Sequence, residues 1–251
     1  MKLSIQLYTV RDLTAKDFAG TIKQLAQLGY KAVELAGFGN LKTAAEAKKA
    51  LDDAGVEASG LHATIEVLEK DLAKTLEDLQ TLGTINLICP WMPEERRKDA
   101  EGWKKSAKVL EKVGYECHQT GVVFCYHNHS FEFKDFGGKT GLDILWENSE
   151  PHLVKSQLDV YWVKHGGVEP VAYINKLGER VHLMHLKDMA KGEDKKFAPV
   201  GTGILDFKGI IEAGTKAGTQ WGAVEQDQTY DLSPMDAVKI SLENLKRLGL
   251  S

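Results

Sequence analysis

Cysteine is scarce in this 251-residue chain, and long apolar runs are absent. Only Cys89, Cys117 and Cys125 occur, with no CxxC spacing. An odd, unspaced set suits a reducing compartment and gives no zinc–thiolate site, so the three are read as buried apolar residues. No run approaches the roughly 18 apolar residues that a membrane helix needs. A basic surplus is missing too: the formal net charge is −4, which gives nucleic acid no electrostatic purchase. Met1-Lys2 leads into Leu3–Tyr8, which reads as a strand rather than as the apolar core and cleavage site of a secretory leader. The expectation is a cytoplasmic protein with no membrane or nucleic-acid partner, unless a leader has been trimmed.

What is present is a returning pattern. Six times an amphipathic stretch ends in glycine and a strand-like run follows. The glycines are Gly29, Gly55, Gly83, Gly121, Gly178 and Gly218, each placed to cap a helix in the left-handed conformation. The runs after them begin near residues 31, 58, 85, 122, 181 and 221; Leu3–Tyr8 and Ser156–Val160 bring the strands to eight. Helices are expected over 18–28, 44–54, 72–82, 100–118, 141–146, 168–177, 207–217 and 234–248. Strands alternating with helices imply a parallel sheet, and nearly continuous apolar strands imply burial on both faces. Eight units without a GxGxxG turn favour closure over an open doubly wound sheet. The fold expected is α/β, a single (β/α)8 TIM barrel domain over 1–251, a length typical of that fold.

Polar residues collect at the ends of the strands, where catalytic groups of such barrels lie. Gln6 and Tyr8 end the first, Glu34 the second and His62 the third, and Trp91 follows the fourth. His127 and His129 end the fifth, with Glu132 beyond. Asp159 and Trp162 end the sixth, His185 and Lys187 the seventh, Glu225 and Asp227 the eighth. Alternation along a strand puts Val181, Leu183, His185 and Lys187 on one face, with His182 opposed as a structural residue. Likewise Cys125, His127 and His129 share a face, with Tyr126 and Asn128 on the other. Converging carboxylates repel unless a cation lies among them, and one histidine with carboxylate oxygens suits a hard or borderline divalent ion. Mn²⁺ is expected first, with Mg²⁺, Co²⁺ or Zn²⁺ as alternatives.

The segments Ser4–Asp12, Tyr126–Phe133, Gln157–Trp162, His182–Asp188, Gly201–Phe207 and Val224–Asp227, in this order and spacing, carry a resemblance. The chain resembles the sugar phosphate isomerase/epimerase superfamily, whose xylose isomerase-like barrel is shared with endonuclease IV and ketose 3-epimerases. The resemblance implies one metal held by a glutamate from strand five, an aspartate from six, a histidine from seven and a glutamate from eight. Asp159, His185 and Glu225 match the last three. Strand five has no internal glutamate, so Glu132 is expected as the first ligand, with a histidine of that strand as the alternative. The implied reaction is sugar isomerisation or epimerisation by proton loss next to a carbonyl. In that reading Glu132 and Glu225 work on the two faces, His127 and His129 shuttle protons, and Lys187 steadies oxyanion charge. Glu34, His62, Trp91 and Trp162 would contact a small sugar, and a homo-oligomer is compatible with it. The Tyr-His-Asn-His run resembles that of enzymes acting on 3-keto-sugars and inososes, so a lyase, dehydratase or hydrolase using the same metal site is the rival. The trinuclear zinc cluster of endonuclease IV would need more histidines than these strands supply. The charged run Lys191–Lys196 is expected as loop surface or as a lid whose Lys191 or Lys195 meets an anionic substrate.

Overall fold

The computed structural model describes residues 1–250. Eight parallel strands close on themselves: β1 (Lys2–Gln6), β2 (Ala32–Leu35), β3 (Glu57–His62), β4 (Asn86–Cys89), β5 (Val123–His127), β6 (Lys155–Asp159), β7 (Val181–Leu186) and, after a two-stranded excursion, β10 (Trp221–Val224). Pairing of Lys2 with Trp221 and of Ile5 with Val33 sews β1 to both neighbours and shuts the barrel. A closed (β/α)8 barrel is therefore the fold, as expected.

The sheath follows the glycine pattern. Helices α2 (Phe18–Leu28), α3 (Ala44–Ala54) and α9 (Phe207–Ala217) span the expected residues. All six expected capping glycines have positive φ. Asp17, Thr43 and Asp206 supply the N-caps of those helices, each accepting a main-chain N–H three residues on. Helix α4 starts earlier than expected, at Ile65, and runs to Leu82. Its first turn is apolar enough to pack on the barrel, but Asp71 is non-helical and its carboxylate accepts Lys74 N–H, so the helix is capped a second time midway. Trp162 sits on a short helix, α7 (Val160–His165), which the sequence pattern did not suggest.

Two layers of apolar side chains hold the barrel. The outer one packs strand residues such as Ile5, Val33 and Leu186 against the helices. The inner one is small: Ile88, Cys125 and Leu183, with Val123 and Trp221 below. A Cβ on Gly60 would stand 2.7 Å from Ile88 Cδ1, so a larger residue there would have to push that side-chain end aside.

The alternation expected for β7 is broken at its start. Val181 pairs with Ser156 but Leu183 pairs with Gln157, so His182 is the extra residue of a β-bulge. Val181 joins the outer layer, and His182 points inward and meets Asn86 Oδ1 across the barrel at 3.0 Å. His182 is structural, as expected, but on the inner face. After β7, β8 (Asp188–Met189) and β9 (Phe197–Ala198) form a hairpin. The Asp188 carboxylate ties down the following turn by accepting N–H groups from Met189, Gly201, Gly203 and Leu205.

Candidate active site at the strand ends

Below the mouth of the barrel lies a cavity of ≈ 460 Å³. Its polar lining includes Gln6, Tyr8, His62, His127, His129, His185, Lys187, Glu225 and Asp227, with Trp91 at the rim. Strand geometry explains the assembly: period two aims alternate residues inward, and on β1, β3, β5 and β7 the last of them, Gln6, His62, His127 and His185, face the cavity.

Glu34 forms the floor. Its Oε1 accepts Gln6 Nε2 at 2.7 Å and lies 2.8 Å from His62 Nε2 and 2.6 Å from His185 Nε2. Its Oε2 accepts Gln157 Nε2 at 2.6 Å. Burial opposes its charge, but these partners hold its pKa well below the usual carboxylate range. Glu34 was expected to meet a sugar; it lies beneath the cavity instead and orients histidines that line it.

His185 bridges two carboxylates, since its Nδ1 lies 2.8 Å from Glu225 Oε2. Burial alone would favour neutrality, but Glu34 and Glu225 raise its pKa to about 10. Lys187 Nζ sits among acids: Glu225 Oε2 at 2.7 Å, Asp159 Oδ2 at 3.0 Å and Asp227 Oδ1 at 3.1 Å. The cation that reconciles these three carboxylates is thus supplied by the chain itself. Burial raises the Asp227 carboxyl to about 6, with the Glu225 charge adding to the effect. Burial, helped by the neighbouring histidine, keeps His127 well below its ordinary value, and it lowers His129 to about 3.

Two overlapping sets of ligand atoms lie close enough to share a metal ion: Glu34, His62 and His185, and His127, Asp159 and His185. The Glu34 lone pairs are already engaged by four donors. The second set leaves its Asp159 oxygen and His127 nitrogen freer for an ion, although His185, whose ring nitrogens both rest on carboxylates, would have to release Glu34 or Glu225 to join it. Asp159 Oδ2 is buried without an aligned hydrogen bond. His127 Nδ1 is tied to Gln157 Oε1 at 3.1 Å, leaving Nε2 3.9 Å from Asp159 Oδ2. Glu225 lies beside this set through His185.

Of the residues expected at the site, His62, His127, His129, Asp159, His185, Lys187 and Glu225 are brought together. Glu132 is not. It is fully buried behind β5, where its carboxylate accepts Tyr126 Oη–H and His129 N–H, both at 2.8 Å. Burial raises its pKa to about 8. It joins neither ligand set and does not line the cavity. The reason is the turn after β5: a 3₁₀ turn, Phe131–Phe133, curls Glu132 back under the strand. Trp162 also stays outside the lining, packed on Tyr161 and Phe197. Lys195 Nζ donates to His165 O and Lys196 pairs with Asp194; neither they nor Lys191 lines the cavity. Gln157 went unnoticed in the sequence, although its position two residues before Asp159 on one strand face was the available signal.

A family model described as the xylose isomerase-like TIM barrel matches residues 22–248. The chain belongs to that family. The superfamily is one of enzymes, and its members carry several activities in their names. An inosose dehydratase of Geobacillus kaustophilus is 25% identical over 194 residues, 67% of this chain and 61% of that protein. The chain thus spans less than two thirds of that relative. A solved sugar phosphate isomerase/epimerase from Parabacteroides distasonis superposes with a TM-score of 0.85 at 24% identity, covering 98% of each chain. The IOLI protein with a binding zinc atom superposes at 0.75 and 14% identity, over 99% of this chain and 98% of that one. At these identities the likeness to solved structures shows the fold.

Proposed function

We propose that the chain enolises an uncharged keto-sugar or keto-cyclitol and completes the reaction by β-elimination of water. The observation that carries this reading is the position of Glu132. Epimerisation with Glu132 and Glu225 on opposite faces requires both in the cavity, and Glu132 lies behind β5 with its oxygens engaged. The name of the inosose dehydratase relative agrees with elimination.

His127, Asp159 and His185, with Glu225 beside them, would hold a divalent ion, which would supply Lewis acidity toward a substrate carbonyl. Zinc is compatible with this donor set, as are Mn²⁺ and Co²⁺. Glu34 and Gln157 orient the rings of His185 and His127. Lys187, fixed between acids and facing the cavity, steadies negative charge growing on the substrate oxygen. His129 presents an uncharged imidazole in the cavity lining, the form that can accept a proton, and is assigned the proton from carbon. Asp227, on the same wall as Lys187, protonates the departing hydroxyl. Lys187, the cation in the cavity lining, already faces three carboxylates. That favours an uncharged substrate over a sugar phosphate.

Incubation of the Mn²⁺- or Zn²⁺-loaded protein with inososes and ketoses in D₂O tests this. Dehydrated product that lacks the α-proton is expected, with turnover falling about 10²–10⁴-fold in Asp227→Asn. Deuterium exchange with no elimination on any substrate would overturn the dehydratase reading. It would favour a second one, epimerisation.

A further inference from the structure

The outward face of β5 carries its own polar machinery. Tyr126 and Asn128 alternate with His127 and His129 and point away from the cavity, as period two requires. Asn128 is buried, and its Oδ1 accepts the main-chain N–H of Asp159 at 3.0 Å. Its Nδ2 reaches the carbonyls of Asp159 at 3.5 Å and His129 at 3.4 Å. The ladder between β5 and β6 ends where His127 pairs with Gln157. Beyond that point Asp159 has no main-chain partner on its β5 side. A carboxamide carries the donor and acceptor of a peptide group, so Asn128 continues the ladder with its side chain.

Glu132 does for the end of β5 what Asn128 does for the end of β6. Its Oε2 accepts His129 N–H and its Oε1 accepts Tyr126 Oη–H, which binds the turn to the strand on both sides of His127. The 3.9 Å gap between His127 Nε2 and Asp159 Oδ2 spans two strand ends, and these contacts set where each end lies.

We propose that Asn128 and Glu132 are positioning residues that hold the ends of β5 and β6 in register so that His127 and Asp159 face one another across the site. Their effect on metal affinity rests on the ligand set proposed above; their effect on geometry does not.

Calorimetric titration of the full chain with Mn²⁺ and with Zn²⁺ gives the first readout. Asn128→Ala and Glu132→Ala are expected to lose about 10–100-fold in affinity, the usual cost of removing a group that orients a ligand. Glu132→Gln keeps an oxygen for His129 N–H and is expected to recover most of the loss seen in Glu132→Ala. Asn86→Ala, at the opposite end of the barrel, removes another buried amide and is expected to bind both ions as the parent does. Unchanged affinity in Asn128→Ala, or an equal loss in Asn86→Ala, would overturn the proposal, the latter because it reveals general loosening. If Asn128→Ala does not fold, the Glu132→Ala and Glu132→Gln pair decides. A parent chain that binds neither ion would defeat the ligand set alone. Crystal structures of the parent and variants then decide, a widened His127–Asp159 gap supporting the register role and an unchanged gap overturning it.

Discussion

His182 and His185 stand three residues apart on β7, both directed into the barrel, and they have opposite electrostatic fates. His182 lies toward the N-terminal end, where Asn86 is its hydrogen-bond partner and burial lowers its pKa to about 4. His185 lies at the C-terminal end, where burial is outweighed by Glu34 and Glu225 and the pKa rises to about 10. His185 is fully buried and His182 only partly so, yet the more deeply buried ring is the one whose pKa rises, so dehydration alone does not decide the charge. The supply of carboxylates does. One end of the barrel is a neutral plug over Ile88, Cys125 and Leu183. The other is an ion network in which each charge is tolerated only because its partners are present.

Removing one partner from the charged end is expected to have the largest effect. Lys187→Met leaves Asp159, Glu225 and Asp227 facing one another and should cost about 3–5 kcal/mol in metal-free protein, measured by urea unfolding. Added Mn²⁺ or Zn²⁺ should restore part of it. A Lys187→Met protein as stable as its parent without metal would break the contrast between the two ends.

Glu132 gives a pH test. Its folded pKa, about 8, lies above the unfolded carboxyl value, so its stabilising contribution is complete below the unfolded pKa. Between roughly pH 4.5 and 8 the unfolded chain binds fewer protons at this group than the folded one, and stability falls as pH rises, by at most about 1.4 kcal/mol per pH unit. Glu132→Gln has no such proton to lose. Its stability relative to the parent should therefore improve from pH 5 to pH 8 in parallel denaturation series; a constant difference would count against a buried, protonated Glu132.

Smaller effects belong to the neutral end. Gly60→Ala overpacks Ile88 and should destabilise by about 1–3 kcal/mol while substrate turnover is retained. His182→Ala leaves Asn86 Oδ1 without this partner and should cost about 1–3 kcal/mol, again without loss of turnover. A loss of activity in either variant that exceeded its loss of folded protein would show that the two ends are coupled.

Much of this was legible along the chain. Gly29, Gly55 and Gly218 marked helix ends because few residues other than glycine adopt the left-handed cap, a local property. The inward set on β5 followed from period two, which holds wherever no residue is inserted. It failed on β7 because the bulge at His182 is fixed by pairing with β6, a partner distant in sequence. The expectation at Glu132 rested instead on its nearness along the chain to strand five, which says nothing of which way a 3₁₀ turn curls.

The sequence by itself determined the closed parallel barrel and the strand ends at which acids and histidines gather, since alternation, capping and burial are short-range rules. Only the tertiary structure decided which of those groups meet. Lys187 as the counter-ion of three acids, Glu34 as the floor, and Glu132 and Asn128 behind the wall all depend on distances between strands. Such distances are set by closure of the whole barrel and leave no mark in any single segment.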